Sequence, residues 1–147
     1  MIEKALAQSG LDLDVLDRLD VAVVVTDING RIFLWNRAAE RLYGYQRERM
    51  LGADVMELFV RPEDLADADG IMEAVLAGRT WTGEFRVRCG DGGTKRVRII
   101  DVPLARDGTV VGVVGCAREL EVSSDGAADD DAVVLEALAE AGLTVNT

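Results

Sequence analysis

Residues 27–52 read DINGRIFLWNRAAERLYGYQRERMLG, and the changes of pattern inside them decide the architecture. Asp27-Ile-Asn-Gly30 is turn chemistry, because Asp and Asn side chains bond nearby backbone and glycine accepts positive φ. Val21-Ala-Val-Val-Val-Thr26 before it and Arg31-Ile-Phe-Leu-Trp35 after it are strand-forming runs, so the two make a hairpin. Asn36 suits the N-cap of a helix from Arg37 to Tyr43, which Gly44 stops. Arg47 to Leu51 is one further turn, stopped by Gly52.

Working outward, Val55 to Phe59 makes another short turn of helix. Pro62 then precedes the longest helix, marked by Leu65, Ile71, Met72, Val75 and Leu76 and closed by Gly78. Three strands follow, Thr80 to Cys89, Thr94 to Pro103 and Thr109 to Arg118, joined by the glycine-bearing turns Gly90-Asp-Gly-Gly93 and Arg106-Asp-Gly108. The order predicts an α+β fold: a five-stranded antiparallel sheet with short helices on one face. Residues 1–20 carry an amphipathic capping helix with Leu11, Val15, Leu16 and Leu19 on its apolar side, and residues 21–120 form the domain. Residues 121–131 read as an acidic linker, and 132–147 as a helical segment or the start of a coupling helix.

The formal charge of −11 lies in the flanks, since residues 21–118 hold 14 acids and 14 bases. With no basic stripe, nucleic acid and anionic membrane are poor partners. No long apolar run follows Met1-Ile-Glu-Lys4, so the reading is a cytoplasmic protein without signal peptide or transmembrane helix. Hydrophobic residues make up 49% of the chain, enough for a sizeable core. There is no histidine, and the serines Ser9, Ser123 and Ser124 all lie in the flanks, so no nucleophile with a histidine base can be assembled. The chain is not expected to be an enzyme.

The element order, together with residues 27–52, resembles the first half of a PAS domain: an aspartate-glycine hairpin, an asparagine opening the next helix, and two glycines after it. TWTGEFRVRCGDGG (80–93), a strand containing Pro103, and DGTVVGVVG (107–115) resemble the second half. The resemblance covers about 100 residues. It implies a sheet folded over a pocket, used to sense a ligand, light or redox state or to pair proteins. It also implies where a cofactor would sit. The LOV photoreceptor branch places an asparagine-cysteine pair where this chain has Asp54 and Val55, and its flavin-reading amides fall on Val87, Val97 and Ala117. None of those side chains except Asp54 can donate or accept, so LOV-type flavin is argued against. The histidine-ligated haem of other members has no histidine here, and Cys89 and Cys116 are too few for a metal cluster, leaving only a thiolate-ligated haem. The cofactor is unknown, and a chain with none is one of the readings. The Asp-Ile-Thr triplet that often ends the family's last strand is replaced by Glu119-Leu120-Glu121.

Period-2 alternation puts Val24, Thr26, Ile32 and Leu34 on one sheet face, with Phe85, Val87, Val97, Ile99 and Val113 from the later strands. The resemblance turns that face inward, with Met56, Leu58, Leu65, Met72 and Val75 closing over it and Trp81 at the mouth. This set either packs as a solid core or lines a pocket for a small apolar or aromatic ligand. Asp101 interrupts the inward row, either wet at the sheet edge or paired inside with an arginine or a polar ligand group. The opposite parity is apolar too: Val23, Val25, Phe33, Trp35, Ile100, Val102, Val110, Val114 and Cys116. A sheet apolar on both faces must be covered on both. The expected covers are the helix bearing Leu11, Val15, Leu16 and Leu19 and a second copy of the chain, giving a homodimer centred on Phe33 and Trp35. Arg86, Arg88, Lys95, Arg96 and Arg98 read as outward charges near the Gly90–Gly93 turn, solvated or docking the acidic linker. The function expected is a sensory or regulatory module that dimerises and passes a signal to an effector domain or partner. The alternative is a ligand-free scaffold that only pairs proteins.

Overall fold

In the hairpin quoted above, Asp27 makes the turn itself: its Oδ1 accepts the N–H groups of Asn29 at 2.8 Å and Arg31 at 3.0 Å. The structure is a computed structural model that describes residues 13–56 and 65–120; Leu11, Leu58 and the segment after Leu120 lie outside them, as does the side chain of Leu65. The elements are α1 (Leu13–Arg18), β1 (Ala22–Asp27), β2 (Ile32–Trp35), α2 (Arg37–Tyr43), α3 (Arg47–Met50), α4 (Leu65–Leu76), β3 (Trp81–Arg88), β4 (Thr94–Arg106) and β5 (Thr109–Glu119). The strands form one antiparallel sheet in the order β2-β1-β5-β4-β3. The expected α+β architecture is therefore the observed one.

Asn36 does more than cap α2. Its Oδ1 accepts the N–H of Ala39 at 3.0 Å and the N–H of Val23 in β1 at 2.9 Å. Its Nδ2 donates to the carbonyls of Leu16 at 2.8 Å and Val21 at 2.9 Å. Asn36 is fully buried, and two donors and two acceptor contacts use the capacity of a side-chain amide. One side chain thus joins the end of α1, the start of β1 and the first turn of α2. Nearby, Asp17 of α1 accepts the Arg37 N–H at 3.0 Å and pairs with the Arg47 guanidinium, whose Nε donates to the Trp35 carbonyl at 2.7 Å.

The sheet carries two apolar clusters, one per face, but not with the membership that strict alternation predicts. Val25 pairs with Leu34 and Thr26 with Ile32, so Phe33 is an extra residue and β2 is bulged. The bulge reverses the parity of everything beyond it. Trp35 therefore faces inward beside Val24, fully buried, with its indole N–H donating to the Tyr45 carbonyl at 3.0 Å. Leu34 packs against the outer cluster instead. The expected places of Trp35 on the outer face and Leu34 on the inner face are both corrected. A second register shift, beyond Leu104, puts Val111 rather than Val110 in the outer cluster. Lys95 is also corrected: it is half-buried and its Nζ donates to the Leu42 carbonyl at 2.8 Å.

Val23, Val25, Ile100, Val102, Val114 and Cys116 are buried on the outer face within the single chain, and Leu16 of α1 is part of their cluster. Val15, Leu19, Phe33 and Leu34 form its half-buried rim. Asn36 holds α1 by the Leu16 carbonyl, which also accepts the Leu19 N–H at 3.2 Å, so its truncation strips the side-chain partner from three further backbone groups, the N–H of Val23, the N–H of Ala39 and the carbonyl of Val21. Asn36→Ala is expected to lower the unfolding free energy in urea by about 3 kcal/mol or more, given roughly 1–3 kcal/mol for each orphaned group. A loss under about 1 kcal/mol would show that water replaces the amide without consequence.

Candidate functional site

The inner face can be followed across the sheet in one row. Trp35 lies beside Val24, Val24 beside Gly115, Gly115 beside Asp101, and Asp101 beside Trp81. A parallel row runs Ala22, Ala117, Ile99, Gly83. The middle of the face is thus made of small residues, Gly115 and Ala117, where a larger pair would fill the space under the helices.

That space is a cavity of about 110 Å³. Its floor is Val24, Thr26, Phe85, Val87, Ile99, Asp101, Val113, Gly115 and Ala117. Its helical wall is Ala68, Ile71, Met72 and Val75 of α4, whose spacing sets one helix stripe against the sheet. Tyr43 closes one side from the end of α2, held by its ring contact with Trp35 at a centroid distance of 5.3 Å. Gly44 ends α2 there with φ 78°, a left-handed conformation that glycine takes without strain. Val55 and Met56 complete the lining among the described residues; the Val55 N–H donates to the Gly30 carbonyl at 2.9 Å and the Met56 N–H to Asp54 Oδ1 at 2.9 Å.

Of the residues expected at a pocket, the structure brings Val24, Thr26, Met56, Met72, Val75, Phe85, Val87, Ile99 and Val113 to this cavity. Ile32 and Val97 belong to the inner core without lining it. Trp81 does not line it either; its ring folds along β3 onto Gly83, where an added Cβ would meet Cζ2 at 2.8 Å. Leu34 is on the other face, and Leu58 and the Leu65 side chain fall outside the described residues. Sequence reasoning missed Tyr43, Ala68, Ile71 and Gly115, and reached Val55 and Ala117 only as positions where the LOV resemblance would seat a flavin. The helical spacing of 68, 71, 72 and 75 and the alternation of 113, 115 and 117 were the signals available.

Asp101 is the charged member of the lining, and it stands away from the sheet edge. Its Oδ1 occupies the room left by Gly115, where an added Cβ would lie 2.7 Å from it. Burial pushes its carboxyl up to about 7, with no opposite charge offsetting the desolvation. Among the described residues its carboxylate has no hydrogen-bond or ion-pair partner, and part of its surface opens into the cavity. Burial, and then the Asp101 charge, push the Tyr43 phenol well up, so it stays protonated. Burial likewise raises Cys116 on the outer face and Cys89, both free thiols and neither a lining residue. Among the described residues no cluster of three or more His, Cys, Asp or Glu could hold a metal ion, and no helix is long and apolar enough to cross a membrane.

A family model described as the PAS fold matches residues 13–120. The chain belongs to the PAS family. PAS domains are sensory and signalling modules, generally not catalytic, and they commonly pair with other proteins or domains. A PAS domain from Colwellia psychrerythraea is 33% identical, with 82% of this chain and 98% of that one covered at a TM-score of 0.66. A LOV protein of Rhodobacter sphaeroides superposes at a TM-score of 0.79 over 98% of this chain and 85% of its own, with 21% identity. The PAS-B domain of Drosophila melanogaster Cycle, with ethylene glycol bound, superposes at 0.61 over 67% of this chain and 99% of that domain, with 16% identity. At these identities the last two show a shared fold. No curated protein sequence matches the chain.

In this PAS domain three of the positions that the LOV resemblance assigns to flavin, Val55, Val87 and Ala117, do line the cavity. All three are apolar, so the wall offers a flavin ring neither thiol nor amide.

The sign of the Asp101 effect follows from its raised value. Between the ordinary carboxylate range near 4 and about 7, the folded chain holds a proton that the unfolded chain has lost. Burial of Asp101 is harmless at low pH, and stability falls as pH rises until the loss is complete above about 7. Asp101→Asn should therefore raise the unfolding free energy at pH 8 by a few kcal/mol, with about 4 kcal/mol as the ceiling, and by clearly less at pH 5. Equal gains at both pH values in denaturant titrations would contradict the half-buried, unpaired carboxylate.

Proposed function

We propose that this PAS domain is a non-catalytic sensory module whose signal is a small, largely apolar or aromatic molecule held between the inner sheet face and α4. The observation that carries the reading is the cavity of about 110 Å³ itself, lined mostly by apolar side chains. A void of comparable size lined by apolar side chains is dry and takes a single-ring guest. Occupation would press on Met72 and Val75 of α4 and on Tyr43, which leans on Trp35. From Trp35 the carbonyl bond to Arg47 and the Arg47 pair with Asp17 lead to α1, so a displaced α4 and Tyr43 have a physical route to the outer face.

A second part of the reading is a homodimer through the outer face, passing the change to an effector domain or partner. Its support is the half-buried apolar rim of Val15, Leu19, Phe33 and Leu34 around α1 and the edge strand β2, with Phe33 central in place of Trp35. The ligand-free pairing scaffold remains as the contrasting reading.

Native mass spectrometry with an absorbance spectrum, on protein purified without exchange into additives, reads both parts at once. The expected result is a two-chain species carrying a small mass excess per chain. A two-chain species at the bare mass that takes up no apolar probe would leave only the pairing scaffold. A single-chain species at micromolar concentration would overturn the dimer.

A further inference from the structure

The cavity has one feature that an apolar guest leaves unanswered. Asp101 stands on the inner face of β4, one strand in from the β3 edge, between Gly115 and Trp81. Gly115 is what admits it there, because any side chain at that position would collide with Oδ1. A solid core would use this place for a hydrophobic residue, since even a half-buried carboxylate without a counter-charge is expensive to enclose.

We propose that Asp101 is the anchor of a binding site for a small amine: a protonated amino group on a single-ring or short aliphatic body. The inference rests on the reading of the cavity as a ligand site. An ammonium supplies what the described surroundings do not, a counter-charge together with donors for the two carboxylate oxygens. Among the described lining residues Asp101 is the only ionised group, and the other polar side chains are the hydroxyls of Thr26 and Tyr43. Neither can neutralise a carboxylate. The rest of the lining is apolar and suits the carbon body of such a ligand. The volume of about 110 Å³ sets the size at one ring or its aliphatic equivalent, since a cavity of roughly 150 Å³ takes benzene. The same carboxylate turns away anions: a carboxylic or phosphate-bearing ligand would place two like charges in a low dielectric. Ligand choice is then made by charge at one end and by shape at the other.

Benzylamine, benzoate and toluene separate these terms, because they share a ring and differ in the head group. Amide resonances of Gly115 and Ala117, followed by two-dimensional NMR at pH 7, report binding in the cavity. The expected result is that benzylamine shifts these resonances saturably and benzoate does not. Asp101→Asn should weaken benzylamine about tenfold or more while leaving toluene unchanged, because the lost contact is a buried, charge-assisted one. Should Asp101→Asn fail to fold, the preference for benzylamine over benzoate in the wild-type chain reads the same charge discrimination. Equal binding of benzylamine and benzoate, or a benzylamine affinity indifferent to Asp101→Asn, would overturn the amine site and leave the cavity reading standing. If none of the three probes shifts Gly115 or Ala117, the cavity reading fails and the amine site fails with it.

Discussion

The amide of Asn36 is the contact on which the rest of the structure depends. One side chain there binds three segments that are far apart in sequence: the Leu16 carbonyl from α1, Val21 and Val23 at the start of β1, and Ala39 in the first turn of α2. Each of these backbone groups needs a partner once water is excluded, and none has a ladder neighbour to provide it. Asn36 answers all four because its two donors and one acceptor oxygen point in fixed directions. The consequence reaches both faces of the sheet. On the outside, α1 is held so that Leu16 enters the cluster with Val23 and Val114. On the inside, α2 leaves at the angle that carries Tyr43 to the cavity and lays its ring against Trp35.

The two faces solve the burial problem differently. The outer cluster packs branched aliphatics with Cys116 and Leu16, and its central members are almost fully enclosed. The inner face brings two tryptophans and a tyrosine toward a row whose centre is Gly115 and Ala117, so bulk at the margins surrounds emptiness in the middle. An interior normally closes such gaps, since each lost contact forfeits dispersion energy and the sum over a cavity reaches several kcal/mol. Asp101 compounds that expense. A fold that keeps both a void and an unpaired carboxylate at the same spot carries features that its own stability does not explain, and the proposed guest would fill the one and neutralise the other.

Much of this was legible from the residues. The Asp27–Gly30 turn, the Asn36 cap, the glycine-bearing turns of the last three strands and the succession of two strands, short helices and three strands follow from local chemistry, and local chemistry survived folding. Period-2 alternation placed β3 and the middle of β4 correctly because those strands run without interruption; Phe85, Val87 and Ile99 reach the cavity as the pattern requires. It failed in β2, where the Phe33 bulge adds a residue that no local signal announces, and so exchanged the places of Leu34 and Trp35. The reach of Asn36 to Leu16 and Val21 was hidden for a similar reason: a cap is a local motif, whereas its long-range bonds exist only after α1 has docked. Whether the inner residues leave a void between them was not legible. Its existence depends on Gly115 lying across from Asp101, a pairing of residues 14 apart that only the register reveals.

The central claim is that the inner face encloses usable space around Gly115 rather than a filled core. Crystallography under xenon pressure tests it most directly, since xenon enters dry apolar voids of this size without needing a polar partner. The account predicts one ordered xenon among Val75, Val87, Ile99 and Gly115, or in its place continuous density for a retained small molecule. An inner face with Met56 and Met72 packed down onto Gly115 and Ala117, and no xenon between them, would contradict it.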